Sequence, residues 1–92
     1  MFNFDFTDEL KLIIRKLSKK DHLRVEIINK KIKEIISCDH NSINHYKNLC
    51  YNLKEYKRVH IDSNFVLIFK VDFEKNSILF VTFDHHDTIY SH

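Results

Sequence analysis

Apolar residues recur along the chain with two different periods, and the switch between them divides it. Phe2, Phe4 and Phe6 alternate with Asn3 and Asp5, which predicts a short strand with one buried face. Thr7 is placed to cap a helix whose first turn carries Asp8 and Glu9, acids that complement the positive end of the helix dipole. Leu10, Ile13, Ile14 and Leu17 then fall at i, i+3, i+4 and i+7, so one stripe of this helix is apolar. Lys16, Lys19 and Lys20 mark its end, Asp21 offers the next cap, and Val25, Ile28, Ile32 and Ile35 carry a second helical period to about Ser37. The two helices are expected to form a hairpin.

From Cys38 to Leu53 the pattern weakens, with Ile43, Tyr46, Leu49 and Tyr51 scattered among Asn, Ser and His, which predicts a loop with room for one short helix. Beyond it the period becomes two. Lys57 to Ile61, Phe65 to Val71 and Ile78 to Phe83 are rich in β-branched and aromatic residues, and Asp62-Ser63-Asn64 and the segment Asp72 to Ser77 separate them. Three consecutive antiparallel strands are predicted. Alternation puts Val59 and Ile61 on one face of the first and Arg58 and His60 on the other. The middle strand is apolar on both faces, as suits a central strand with helices on one side and a groove on the other. The fold class is α+β: a short N-terminal strand, a two-helix hairpin, then an antiparallel meander with both helices packed on one face.

Composition sets limits on this picture. The chain has 92 residues, enough apolar surface for one core, and its hydrophobic content of 43% argues against disorder. Phe65 to Phe69, the longest apolar run, is far too short to cross a bilayer. Asp5, Asp8 and Glu9 interrupt any leader-like opening, so a cytoplasmic protein is expected. Cys38 and Cys50 are too few for a disulfide scaffold and read as small, partly buried side chains. The chain contains no glycine or proline, so every turn that needs a positive φ must use Asn, Asp or His.

The formal net charge is only +2, yet Arg15, Lys16, Lys19, Lys20, Arg24, Lys30, Lys31 and Lys33 gather on the two helical segments, and Lys47, Lys54, Lys57 and Arg58 form a second group. Such clusters are either solvated helix faces or seats for a polyanion or an acidic partner. The densest chemistry lies at the end of the last strand, where Asp84-His85-His86-Asp87-Thr88-Ile89-Tyr90 brings two imidazoles, two carboxylates and a phenol into seven residues. Histidine, with an unperturbed pKa of about 6.5, both gives and takes a proton near neutrality. Cys38, His40, His45 and Cys50 are a competing constellation with the donor types of a zinc site, but their spacing lacks the paired knuckle such sites use.

The order of elements, with Arg58-Val59-His60-Ile61 before Phe65-Val66-Leu67-Ile68-Phe69 and His86-Asp87-Thr88-Ile89-Tyr90 at the end, resembles the RelE/ParE superfamily of toxins, and within it the YafQ-like and RelE-type messenger-RNA interferases. The resemblance spans nearly the whole chain as one domain, 1–92, while its specific residues lie between Arg58 and Tyr90. It implies a microbial-ribonuclease-like fold, metal-independent cleavage of messenger RNA in the ribosomal A site without a cofactor, and hetero-oligomeric neutralisation by a RelB/DinJ-like antitoxin. By the same resemblance His86, His60 and Tyr90 are candidate catalytic residues and Phe65 and Asn64 candidate RNA contacts, while the charge that builds on phosphorus calls for a cationic clamp, for which Arg58 is the candidate catalytic residue and Lys54 and Lys57 the candidate RNA contacts. Thr82 stands where an arginine is usual on the last strand. Asp84 and Asp87 either orient the imidazoles through hydrogen bonds or are exposed turn carboxylates. The alternative is a member of the fold that inhibits a protein target such as gyrase, or binds without catalysis.

Overall fold

The computed structural model describes residues 1–50 and 53–90. In chain order the elements are β1 (Asn3–Phe6), α1 (Asp8–Lys20), α2 (His22–Ile36), a 3-10 turn (Ser42–His45), β2 (Tyr56–Ile61), β3 (Phe65–Asp72), β4 (Ser77–His85) and a short α3 (His86–Tyr90). The expected strand, helix hairpin and meander are all present, and the loop after α2 holds the short helical turn. Tyr51, placed in that loop, lies outside the described residues.

The helix boundaries follow from two capping residues. Thr7 Oγ1 accepts from Leu10 N at 3.1 Å and also donates to Val81 O, so the cap of α1 is fastened to β4. Asp21 closes one helix and opens the next: its backbone N–H reaches Leu17 O at 2.7 Å, and its carboxylate accepts from Arg24 N at 3.1 Å. One residue between helices forces the hairpin.

The sheet order is β1-β4-β3-β2. The meander β2-β3-β4 is antiparallel, and β1 runs parallel to β4 at the far edge, a pairing that periodicity alone does not predict. Leu10, Ile28, Ile32 and Ile35 from the helices meet Leu67, Phe69, Ile78 and Phe80 from the sheet in the main core. On the opposite face a smaller cluster of Leu49, Val66 and Ile68 is flanked by Leu53, Tyr56, Val81 and Ile89, which accounts for the two-faced apolarity of β3.

A bulge between β3 and β4 sets which side chains of the last strand face the helices. Phe69 pairs with Phe80 but Ile68 pairs with Thr82, which leaves Val81 as an extra residue on β4. Ile78 and Phe80 on one side of the bulge, and Phe83 on the other, consequently all face the helices although 80 and 83 have opposite parity. Two turns use positive φ, at Asp62 (48°) and Asn76 (51°), the residue types expected where glycine is missing.

Candidate active site

Alternation along β2 sends Lys57, Val59 and Ile61 towards the helices and Tyr56, Arg58 and His60 to the opposite face. The bulge has the matching effect on β4. Thr82 lies in one cross-strand row with Ile68 and Arg58, Asp84 lies in the next row with Val66 and His60, and His85 pairs with Phe65 on the helix side. The chain then turns into α3, where His86 N donates to Asn64 O at 2.7 Å. This places the His86 ring against that of His60, with centroids 5.5 Å apart and planes inclined by 25°. Arg58 is two residues before His60 on the same face, about 6.6 Å along the strand. Two imidazoles and a guanidinium therefore share one surface.

Other candidates are placed differently. Lys57 is only 6% exposed, and its Nζ donates to Tyr46 O at 3.0 Å and Asn48 Oδ1 at 2.9 Å. Burial holds its pKa below the usual lysine value. It is an internal strut rather than an RNA contact, because it shares the strand parity of Val59 and Ile61. Phe65 is on the helix side too: its ring stacks on Phe83 at 5.2 Å, and the Arg24 guanidinium covers it at 4.3 Å from the centroid. It does not join the imidazole face as a platform for bases. Lys54 is exposed, and its carbonyl accepts from Asn48 Nδ2 at 2.7 Å. It precedes His60 by six residues, a span of up to roughly 20 Å. Asn64 is an exposed turn residue that holds His86 through its backbone. The Tyr90 side chain lies outside what is described.

Asp87 approaches both imidazoles without a short hydrogen bond, its oxygens 3.6 Å from His86 Nδ1 and 3.9 Å from His85 Nδ1, and its side chain is 88% exposed. Its backbone N–H donates to His85 Nδ1 at 3.3 Å. Asp84 Oδ1 accepts from His85 N at 2.7 Å, so it braces the turn into α3.

The groove expected on the second apolar face of β3 is present as an apolar slot of about 220 Å³ on the imidazole face, lined by Leu49, Leu53, Tyr56, Ile68, Val81, Thr82 and Ile89. Its signal was present in the second apolar face of β3, but residues from the loop and α3 complete it.

The residues of the competing metal constellation are engaged elsewhere. His40 stacks on Phe2 at 5.4 Å, and its Nε2 lies 3.0 Å from Asn76 Oδ1, while Cys38 Sγ lies 3.5 Å from Glu34 O. Cys50 is exposed rather than partly buried. Among the described residues, no group of three or more His, Cys, Asp and Glu is close enough to hold a metal ion. No described helix is long and apolar enough to cross a membrane.

No protein-family model matches the chain. A Methanocaldococcus jannaschii protein named "Putative toxin RelE4" is 46% identical over 90 residues, covering 98% of this chain and 92% of the relative. In fold the chain is similar to the crystal structure of YafQ from E. coli strain BL21(DE3), with a TM-score of 0.74 at 14% identity over 98% and 99% of the two chains. It is also similar to a chain of the YoeB-YefM complex from Staphylococcus aureus, with a TM-score of 0.73 at 20% identity over 94% and 98%. The mixed four-stranded sheet under a helix hairpin is thus the toxin fold of those structures. The chain belongs to the RelE-type toxin superfamily.

Proposed function

We propose that the protein is a metal-independent endoribonuclease that cleaves messenger RNA in the ribosomal A site and is held inactive by an antitoxin. The observation that carries this reading is the stacked His60–His86 pair on the face that also bears Arg58. Cleavage of an RNA linkage requires one group to take the proton of the ribose 2′-hydroxyl as its oxygen attacks phosphorus. A second group gives a proton to the departing 5′-oxygen, leaving a 2′,3′-cyclic phosphate and a free 5′-hydroxyl. Two imidazoles side by side suit that division of labour, since one serves as base while its neighbour serves as acid. His86 is assigned one role and His60 the other. Arg58 faces the charge that builds on the phosphoryl oxygens and is the principal phosphate contact.

The apolar slot beside Thr82 has the character of a seat for a base flanking the scissile linkage, a role that Phe65 cannot take from the other face. The relation to YoeB, solved in complex with YefM, supports an antitoxin partner and a hetero-oligomeric resting state.

Messenger-RNA cleavage on programmed ribosomes tests the assignment. His86→Ala and His60→Ala should each lower the cleavage rate by roughly 10²- to 10⁴-fold. Activity within about threefold of wild type would remove that imidazole from the mechanism. DNA damage on induction with messenger RNA intact would instead favour inhibition of a protein target.

A further inference from the structure

We infer that Arg24, on the helix side of the sheet, is a positioning residue that sets the spacing of the two imidazoles on the other side. The consequence for catalysis rests on the proposed role of His86, whereas the positioning itself depends only on contacts around the β2–β3 turn.

Arg24 is held at the start of α2 by its own cap residue, with Nη1 3.1 Å from Asp21 Oδ2. From there the guanidinium grips both ends of the turn. Its Nε donates to Asp62 Oδ2 at 3.3 Å, directly after β2, and its Cζ lies over the ring of Phe65, the first residue of β3. Asp62 adopts φ of 48°, and its other carboxylate oxygen accepts from Asn64 N at 3.4 Å, so both of its oxygens hold the bend. The turn connects the two imidazoles. His60 lies two residues before Asp62, and the carbonyl of Asn64 receives the backbone N–H of His86 at 2.7 Å. Phe65, under the guanidinium, pairs with His85, the residue before His86. A displacement of Asp62 or Phe65 therefore moves the anchors of both rings.

Only arginine meets these demands at once. Its guanidinium donates through Nε to Asp62 while its central carbon sits over the Phe65 ring, whereas a lysine ammonium at this site is a point charge that cannot do both. Arg24 does not touch the imidazole face. Its loss acts through geometry, and a misplacement of about 1 Å at a reacting group can cost on the order of 100-fold in rate.

The test compares wild type with Arg24→Ala, Arg24→Lys and Asp62→Asn. The readouts are the NMR ring signals of His60 and His86 in the folded protein, together with cleavage kinetics on programmed ribosomes. The expected result is that Arg24→Ala shifts both ring signals and lowers kcat by about 10- to 100-fold with KM within about threefold, and that lysine does not restore it. Asp62→Asn keeps a residue that tolerates the left-handed turn but loses the ion pair. It should shift the same signals less, and it provides the reading if Arg24→Ala does not fold. Ring signals identical to wild type in the folded variants would overturn the inference whatever the activity. A rise in KM that lysine repairs would also overturn it, in favour of a direct phosphate contact. Shifted rings with undiminished cleavage would uphold the positioning and remove His86 from the chemistry.

Discussion

Lys57→Met is expected to cost the protein stability while sparing cleavage by each molecule that remains folded. The ammonium is 6% exposed and ties the loop to β2 through Tyr46 O at 3.0 Å and Asn48 Oδ1 at 2.9 Å. Methionine fills nearly the same volume, so the cavity contribution is small and the loss is chiefly polar. Two hydrogen bonds from a charged donor stabilise by about 1.5–3 kcal/mol each. Against this stands relief of the ammonium's desolvation, the same burial that lowers its pKa. A net destabilisation of about 2 kcal/mol remains. Urea unfolding followed by circular dichroism reads it directly: with a slope near the low end of about 1–3 kcal/mol per molar for so short a chain, the midpoint should fall by about 2 M. An unchanged midpoint combined with a tenfold loss of cleavage would refute the reasoning and return Lys57 to the RNA-binding surface.

Three further outcomes follow from particular contacts. Burial, then the nearby Glu34 carboxylate, raises the Tyr46 phenol from 10.0 to about 12. Its stabilising contribution is therefore complete below pH of about 10 and is lost as pH rises towards about 12, and the alkaline ultraviolet difference between wild type and Tyr46→Phe should show that late midpoint rather than an ordinary one. Thr82 shares a row with Arg58 two strands away, a gap of about 9.6 Å that an arginine side chain can reach across. Thr82→Arg in an Arg58→Ala background should thus recover roughly tenfold in cleavage rate, and no recovery would separate that row from the phosphate. Deleting Val81 removes the unpaired residue but keeps Phe69–Phe80 and Ile68–Thr82 in register, so Thr82 and Phe83 keep their faces and the His60–His86 ring contact should survive in NMR spectra. Loss of that ring contact in a folded deletion would show that the bend at the bulge, and not only the register on either side of it, places the rings.

Much of the site was legible because a strand alternates. The parity that put Arg58 and His60 on one surface also assigns Lys57 to the side of Val59 and Ile61, and the structure follows it. Lys57 appeared as an RNA contact only when its charge was weighed ahead of its position. Phe65 has the same lesson, since it lies opposite Ile61 and its ring is covered by Arg24 and Phe83. A groove on the second face of β3 was legible from its apolarity, but its lining was not, because Leu49, Leu53 and Ile89 join it from segments distant in sequence.

Local periodicity and capping by Thr7 and Asp21 were sufficient to determine the strand, the helix hairpin and the meander, and the absence of glycine the residue types at the positive-φ turns, which the structure places at Asp62 and Asn76. The tertiary structure decided the parallel docking of β1 on β4 and the register of the last strand. One extra residue at Val81 reverses which of two adjacent histidines turns from the helices to meet His60. Packing makes that choice, because Ile78, Phe80 and Phe83 can all be buried under the helices only if the alternation breaks between them.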